Sequence, residues 1–221
     1  MKIRRIFTAF LICLAMENAV AKDYSIDLTR SLNWQSMKLE VLATLNLASA
    51  GLKLPAGRSE AKELIDMEFP RLLHPTLLAL PLDSSNLLES SVEKGQVSLA
   101  EVGQIAGDSE QAPTFLSLDL RELSAPFSID LRKIAASLIL HRQAAEPPRI
   151  IEKRATRPYT GIIIYANDPL PLHGRSINTR ASACFFPKIW DSEMTLIYER
   201  NMVEPEIARK RGIVQYASWP I

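Results

Sequence analysis

The residues from Met37 to Ser49 alternate between apolar and polar side chains, and this period of two constrains the fold more than any other feature. Successive side chains of a β-strand point to opposite faces, so the pattern predicts a strand with one buried side. The apolar positions that share the buried side are Leu39, Val41, Ala43, Leu45 and Leu47. We expect Trp34, just before the strand, to cover an edge of the same core.

The pattern becomes helical between residues 57 and 79. Apolar residues recur there at the spacing that places them on one helix face, and they are Ala61, Leu64, Ile65, Phe69, Leu72 and Leu73. Pro70 and Pro75 lack a backbone donor and clash with the preceding turn. We therefore predict one helix over 57–69 and a second, kinked helix over 71–79.

The middle of the chain is predicted to hold short elements of both kinds. Ser98 and Glu101 have the spacing of a capping box, which predicts the start of a short helix. Residues 114–123 alternate in polarity again and predict a strand. Residues 128–140 follow a helical stripe, with Asp130 near its start.

Three consecutive isoleucines, Ile162–Ile164, lie within the apolar run from Tyr159 to Ala166. A strand whose consecutive residues are all apolar needs cover on both faces, so the run predicts a central strand in the protein interior. The segment from Asn167 to Pro171 then ends the strand, because proline cannot donate to a sheet ladder.

These elements together predict an α+β fold, with an antiparallel or mixed sheet and several short helices packed on one face. The predicted organisation is a signal peptide over 1–21, an N-terminal α+β region over 22–143, a linker or crossing segment over 144–158 and a strand-rich region over 159–221. Within the last region we predict strands over 181–189 and 194–198, a helix over 203–211 and a final strand over 213–218. We expect the two folded regions to share one core.

The first 21 residues have the layout of a secretory signal peptide, with a basic start, an apolar run from Ile6 to Met16, and small residues Ala19 and Ala21 at the cleavage site. The apolar run is too short to span a membrane, and an uncleaved N-terminal anchor is the alternative. Cleavage after Ala21 removes three basic residues and one acidic residue, which takes the formal net charge from +1 to −1. We therefore predict an exported protein, periplasmic or associated with the outer membrane, with no nucleic-acid partner. It would meet a membrane only by association or through an uncleaved signal.

The C-terminal third resembles a family of bacterial envelope lipoproteins. The stretches "YTGIIIYA", residues 159–166, and "FFPKIWDSEMTLIYE", residues 185–199, carry the resemblance. The matching positions are Tyr159, Thr160, Gly161, Pro187, Lys188, Ile189, Asp191, Ile197 and Tyr198. They resemble the flagellar assembly lipoprotein P family, whose members help to build or anchor surface structures. The whole chain is also similar to uncharacterised exported proteins of spirochaetes, including its "LPAGR" and "PLDSS" stretches. The resemblance implies an envelope protein with an α+β domain.

The residue patterns that carry catalysis or bind cofactors do not occur in the sequence. None of its three histidines, His74, His141 and His173, lies three or four residues from another, as in common zinc sites. A serine-nucleophile elbow, a Walker motif and a Rossmann glycine spacing are all missing. Cys184 is followed by two phenylalanines, which favours a buried thiol over a nucleophile. We therefore predict no metal, no cofactor and no enzymatic activity.

His173 and Arg175, in "LPLHGRS", are the candidate residues of an interaction loop. They either present a pair of cations to an anionic ligand or form a polar turn in which Gly174 supplies backbone freedom. Our leading hypothesis is a non-enzymatic exported envelope protein. It would be a structural or assembly component of a periplasmic or outer-membrane complex, with the flagellum as one candidate, and would bind envelope proteins or itself. The alternative is a periplasmic small-ligand-binding protein or hydrolase with a site near these two residues.

Overall fold

A five-stranded antiparallel sheet forms the frame of the protein. The computed structural model describes residues 24–145, 162–166, 168–171 and 177–217. The strands of the sheet are β1 (Ile26–Asn33), β2 (Lys38–Asn46), β3 (Glu110–Gln111), β4 (Phe115–Leu116) and β5 (Glu122–Asp130). Strand β2 lies between β1 and β5, while β3 and β4 pair with different parts of the other edge of β5. The predicted α+β class is confirmed.

The two long strands β2 and β5 place their apolar side chains opposite one another. The cross-strand pairs Leu39–Ile129, Val41–Phe127, Ala43–Ala125 and Leu45–Leu123 are in register, and all eight residues are buried. Such pairs are the unit that stabilises a sheet. The alternation from Met37 to Ser49 therefore produces a strand with one buried side, as predicted.

A single long helix, α1 (Gly57–Leu78), packs against β2 and β5 on the buried face of the sheet. Its buried side chains follow one stripe, made of Ala61, Ile65, Phe69, Leu73 and Leu77. The ring of Phe69 stacks on that of Phe127, with 3.6 Å between the ring centroids. The prediction of two helices was wrong, because Pro70 and Pro75 both lie inside α1. The buried stripe continues past both prolines, so packing on the sheet compensates for the hydrogen bonds that they remove.

Three short helices complete the layer around α1, and they are α2 (Leu88–Glu93), α3 (Leu99–Gly107) and α4 (Leu131–Ser137). The predicted capping box of α3 is confirmed: the backbone N–H of Glu101 donates to Ser98 Oγ at 3.1 Å, and that of Ser98 donates to Glu101 Oε2 at 2.7 Å. Asp130 caps α4, because its carboxylate accepts a hydrogen bond from the backbone N–H of Arg132. The helix therefore begins after Asp130, later than predicted.

The chain between β4 and β5 turns, so the strand predicted over 114–123 was wrong. Leu120 has a positive φ of 59° and its side chain is exposed, as is that of Leu118. The Asp119 carboxylate accepts hydrogen bonds from Ser117 Oγ at 2.6 Å and from the backbone N–H of Arg121 at 3.2 Å. Such local bonds stabilise a turn in place of a ladder. The alternation of apolar and polar residues over 114–123 does not indicate these side-chain hydrogen bonds.

The C-terminal region contains only short elements. They are β6 (Leu170–Pro171), β7 (Asn178–Thr179), β8 (Ile189–Trp190), β9 (Leu196–Tyr198), a 3₁₀ turn (Arg200–Met202) and α5 (Pro205–Arg211). Strand β6 pairs with β7 and β8 with β9, each antiparallel. The predicted turn at Asp191 is confirmed by hydrogen bonds from the backbone N–H groups of Glu193 and Thr195 to its carboxylate. Helix α5 has Pro205 in its first turn and Gly212 after its end, as predicted.

Two C-terminal strand predictions were wrong. The strand predicted over 181–189 shortens to β8, and residues 213–217 form no strand. The chain pairs with the N-terminal region instead: the backbone N–H groups of Phe185 and Phe186 donate to the carbonyls of Pro81 and Leu82.

The isoleucine run does not form the central strand that its sequence predicts. Residues 162–166 belong to no strand, and the side chains of Ile162, Ile163 and Ile164 are 63%, 82% and 57% exposed. The interior positions are already occupied, because β2 and β5 have neighbours on both edges. The core beneath the sheet is filled by α1 and by Phe185 and Phe186. Within the described residues no covered position is left for the run.

Candidate interaction surface

Ile162, Ile163, Ile164 and Tyr165 form a continuous exposed run, which we call the apolar strip. Each of these side chains is more than half exposed. Exposed contiguous apolar residues on a soluble protein mark sites of interaction, because water contact with them is unfavourable. β-branched residues also favour the extended conformation of a strand. The strip therefore has the chemistry of a strand whose neighbour is missing.

The apolar strip leads into the hairpin of β6 and β7. The predicted interaction residues His173 and Arg175 lie between β6 and β7 in the sequence, outside the described residues. The signal-cleavage residues Ala19 and Ala21 and most of the predicted linker also lie outside them.

Strand β1 has one open edge. It pairs with β2 along its whole length, from Ile26 opposite Leu45 to Asn33 opposite Lys38, and no strand among the described residues pairs with its other side. Edge strands are usually protected from further pairing by lysine, proline or a bulge. β1, with the sequence "IDLTRSLN", has no lysine or proline and its register is continuous. We call this side of β1 the open edge.

The face of the sheet opposite the helices carries a shallow groove of about 540 Å³. Its lining combines apolar groups with hydroxyls and carboxylates, and includes Thr29, Ser31, Glu40, Leu42, Glu110 and Pro126. Lys38 Nζ lies 4.0 Å from Glu110 Oε2. The surface that lines the groove is mainly apolar, and the groove is open to water and not enclosed.

An aromatic cluster joins the C-terminal region to the turn between β1 and β2. Trp34 contacts the rings of Phe185 and Tyr216 edge to face, at centroid distances of 5.2 and 5.9 Å. The Tyr216 hydroxyl donates to the carbonyl of Cys184 at 2.8 Å and accepts from the Cys184 backbone N–H at 3.0 Å. Trp34 thus covers the edge of the core, as predicted.

The thiol of Cys184 is buried, also as predicted. Burial raises its pKa, against an opposing effect of the hydrogen bond with Tyr216. Burial also raises the pKa of Tyr216 to about 12. A reactive cysteine needs a lowered pKa, so this thiol is a structural group.

Cations from the C-terminal region hold the carboxyl end of α4. Arg209 Nη2 donates to the carbonyl of Ile139 at 3.0 Å, and Arg200 Nη1 lies 3.5 Å from that of Leu138. The guanidinium of Arg200 also lies 5.1 Å from the centroid of the Phe186 ring. The last carbonyls of a helix have no partner within it, and cations near them are favourable. These contacts fix where the C-terminal region sits.

Two histidines lie at helix packing surfaces. His141 Nε2 lies 2.8 Å from the carbonyl of Val203, while its Nδ1 is buried without a partner. His74 Nε2 is also buried without a partner, and it faces Gly103, where a Cβ atom would come within 3.1 Å.

Within the described ranges, no three His, Cys, Asp or Glu side chains cluster so that they could hold a metal ion. In the same part of the chain, no helix combines the length and the apolar character needed to cross a membrane.

The fold and its surfaces define a class: an α+β protein whose helix-covered sheet holds a C-terminal region of short elements and leaves an apolar strip uncovered. The chain belongs to the family of Treponema pallidum Tp0624. Residues 25–137 match the N-terminal domain of Tp0624, and residues 161–220 match its second domain. The predicted likeness to spirochaete proteins is confirmed at this level. Neither match is to the flagellar assembly lipoprotein P family, so the resemblance to that family gains no support. No curated protein matches the chain.

The two matches divide the chain where its architecture changes. The first covers the sheet and helices α1 to α4, and the second contains the apolar strip and the aromatic cluster residues Cys184, Phe185 and Tyr216. Nothing in the sequence pointed to the open edge, because β1 has no lysine or proline that would mark an edge strand. The Cys-Phe-Phe stretch was the one signal for the aromatic cluster.

Proposed function

We propose that this protein is a non-enzymatic exported envelope protein, a structural or assembly component of a periplasmic or outer-membrane complex. It binds its protein partners through the apolar strip. The observation that carries the proposal is the exposure of four consecutive large apolar side chains, from Ile162 to Tyr165. Burying them against a partner removes apolar surface from water, which is the main favourable term in protein association.

The chemistry of the described residues supports a binding role. Cys184 has a raised pKa, His141 contacts a backbone carbonyl and His74 Nε2 has no hydrogen-bond partner. A nucleophile and its base must lie within hydrogen-bond reach of each other, and these groups do not form such a pair. The N-terminal signal pattern supports export.

The alternative of a small-ligand-binding protein or hydrolase depends on His173 and Arg175, and the described residues add no argument for it. The flagellum is one assembly to examine, on the strength of the resemblance in the C-terminal third. The family matches do not add to that idea.

The test is co-purification from native envelopes, with and without detergent. The wild-type chain should co-purify with envelope proteins, and Ile163→Asp should lose them because it places a charge in the middle of the strip. Met67→Asp is the matched control, since Met67 is an exposed apolar side chain on α1 and is not part of the strip. It should co-purify as the wild type does. A wild-type chain that elutes as a monomer without associated proteins in every fraction would contradict the proposal.

A further inference from the structure

We propose that the apolar strip of one copy adds as a strand to the open edge of β1 in a second copy. This inference rests on the proposed function and names the partner of the same surface. Two features of the chain support it. The apolar strip favours a strand but pairs with no strand among the described residues, and β1 has an open edge.

The two features complement each other in their backbone groups. The open edge offers a row of N–H and C=O groups along β1, from Ile26 to Asn33, that no strand among the described residues pairs with. Adding an extended segment to such an edge is a common mode of protein recognition, in which the main chain supplies affinity and the side chains supply specificity. β1 carries two charged residues, Asp27 and Arg30, but no lysine, proline or bulge, and no strand among the described residues covers this edge.

A second copy is the partner because the two features do not meet within one copy. Residues 162–166 take part in no strand pairing, although β1 of the same chain is open. Residues 146–161 connect the strip to the N-terminal region. A chain of that length spans at most about 55 Å. This is several times the radius of gyration of a domain of about 100 residues, roughly 13 Å, so the strip can reach a neighbouring copy.

Charge and apolar pattern favour one register. When the strip runs parallel to β1 with Ile164 beside Ile26, Ala166 lies beside Leu28 and Asp168 beside Arg30. Ile26 and Leu28 are half-buried and pack against the core, so Ile162 and Ile164 would extend the same apolar face. Arg30 and Asp168 are both exposed, and their opposite charges attract in this register. Ile163 and Tyr165 then point to the face that carries the groove.

The test uses the full chain with Cys13→Ser and Cys184→Ala as background, purified as two single-cysteine variants, Leu28→Cys and Ala166→Cys. Neighbouring strands bring such side chains within disulfide reach. When the two variants are mixed, oxidation should give a cross-linked dimer, a band of twice the monomer mass. Either variant alone should give little of this dimer. If the mixture gives no such band, the proposal is overturned. It is also overturned if a chain that carries both substitutions forms only an intramolecular disulfide.

Two further arms test the register and guard against misfolding. Arg30→Cys mixed with Asp168→Cys uses exposed positions that leave the core intact, and should cross-link as well. In the Leu28→Cys and Ala166→Cys chains, Arg30→Asp should lower the yield, and Arg30→Asp on one partner with Asp168→Arg on the other should restore it. An equal or higher yield from Leu28→Cys mixed with Ile162→Cys overturns the parallel register.

The outcome separates this inference from the proposed function. If cross-linking fails while Ile163→Asp still abolishes co-purification, the strip binds a different envelope protein and self-association is excluded. If Ile163→Asp co-purifies as the wild type does, the proposed function itself fails.

Discussion

The N-terminal and C-terminal regions of this protein reach stability in different ways. The N-terminal region buries the apolar face of β2 and β5 under α1 and three short helices. The C-terminal region has strands of two or three residues, and it contributes Phe185, Phe186 and Ala208 to the same core. Isolated hairpins are marginally stable in water. The second region therefore depends on the first for its stability, and its apolar strip is exposed.

The largest effect should come from the core of the N-terminal region. Phe69→Ala removes a ring stacked on Phe127 and fully enclosed by the core. Large-to-small substitutions of this kind cost about 3–5 kcal/mol, and we expect a loss in that range from urea unfolding. Met67→Ala, an exposed position on the same helix, should stay within about 0.5 kcal/mol. A loss below about 1 kcal/mol for Phe69→Ala would show that α1 does not anchor the region.

A somewhat smaller effect should separate the two regions. Phe185→Ala removes a ring that packs on Trp34 and should cost about 3 kcal/mol. Limited proteolysis should then cut the C-terminal region first, because one of its attachments to the N-terminal region has gone while α1 and the sheet remain. Trp190→Ala, at an exposed position in β8, is the control and should leave the digestion pattern unchanged. If both regions of Phe185→Ala resist proteolysis equally, the C-terminal region does not depend on this contact with the N-terminal region for its stability.

Tyr216→Phe should have a moderate effect that depends on pH. It removes both hydrogen bonds to the Cys184 backbone, at roughly 1 kcal/mol each. Burial raises the pKa of Tyr216 from 10.0 to about 12, so its contribution is complete below pH 10 and is lost as the pH rises through 12. The difference in melting temperature between wild type and Tyr216→Phe should therefore narrow across this range. A constant difference up to pH 12 would mean that the tyrosine is not buried in solution.

The smallest effect on stability should come from the apolar strip. Ile163→Ser in dilute solution should change the free energy of unfolding by less than about 0.5 kcal/mol, because this side chain has no packing to lose. Ile65→Ser is the contrasting variant, since the same side chain is completely buried there, and it should cost several-fold more. Similar losses for the two variants would show that the strip is packed in the monomer.

The sequence predicted the N-terminal region better than the C-terminal one for a physical reason. The alternation of β2 and the capping box of α3 are local signals, and local geometry was enough to realise them. Pro70 and Pro75 remove hydrogen bonds from a helix, which is why the sequence predicts a break there. The packing that compensates for the lost bonds comes from β2 and β5, which are distant in the sequence. Such compensation cannot be read from a short window of sequence.

The isoleucine run shows the same limit at the candidate site. Its composition predicts a segment that the chain itself covers on both faces, and this prediction was wrong because the isoleucine side chains are exposed. Periodicity reports the environment a segment requires and not which molecule supplies it. His173 and Arg175, the residues first suggested for binding, lie outside the described residues, so that prediction stays untested.

We proposed that a second copy of the chain covers the apolar strip, and hydrogen exchange of residues 162–166 at increasing protein concentration tests this most directly. If another copy covers the strip, protection of these amides should rise with concentration in the wild type, together with protection of the β1 amides on the open edge. Ile163→Asp should show no such rise. Exchange of residues 162–166 at the unprotected rate at every concentration would contradict the claim.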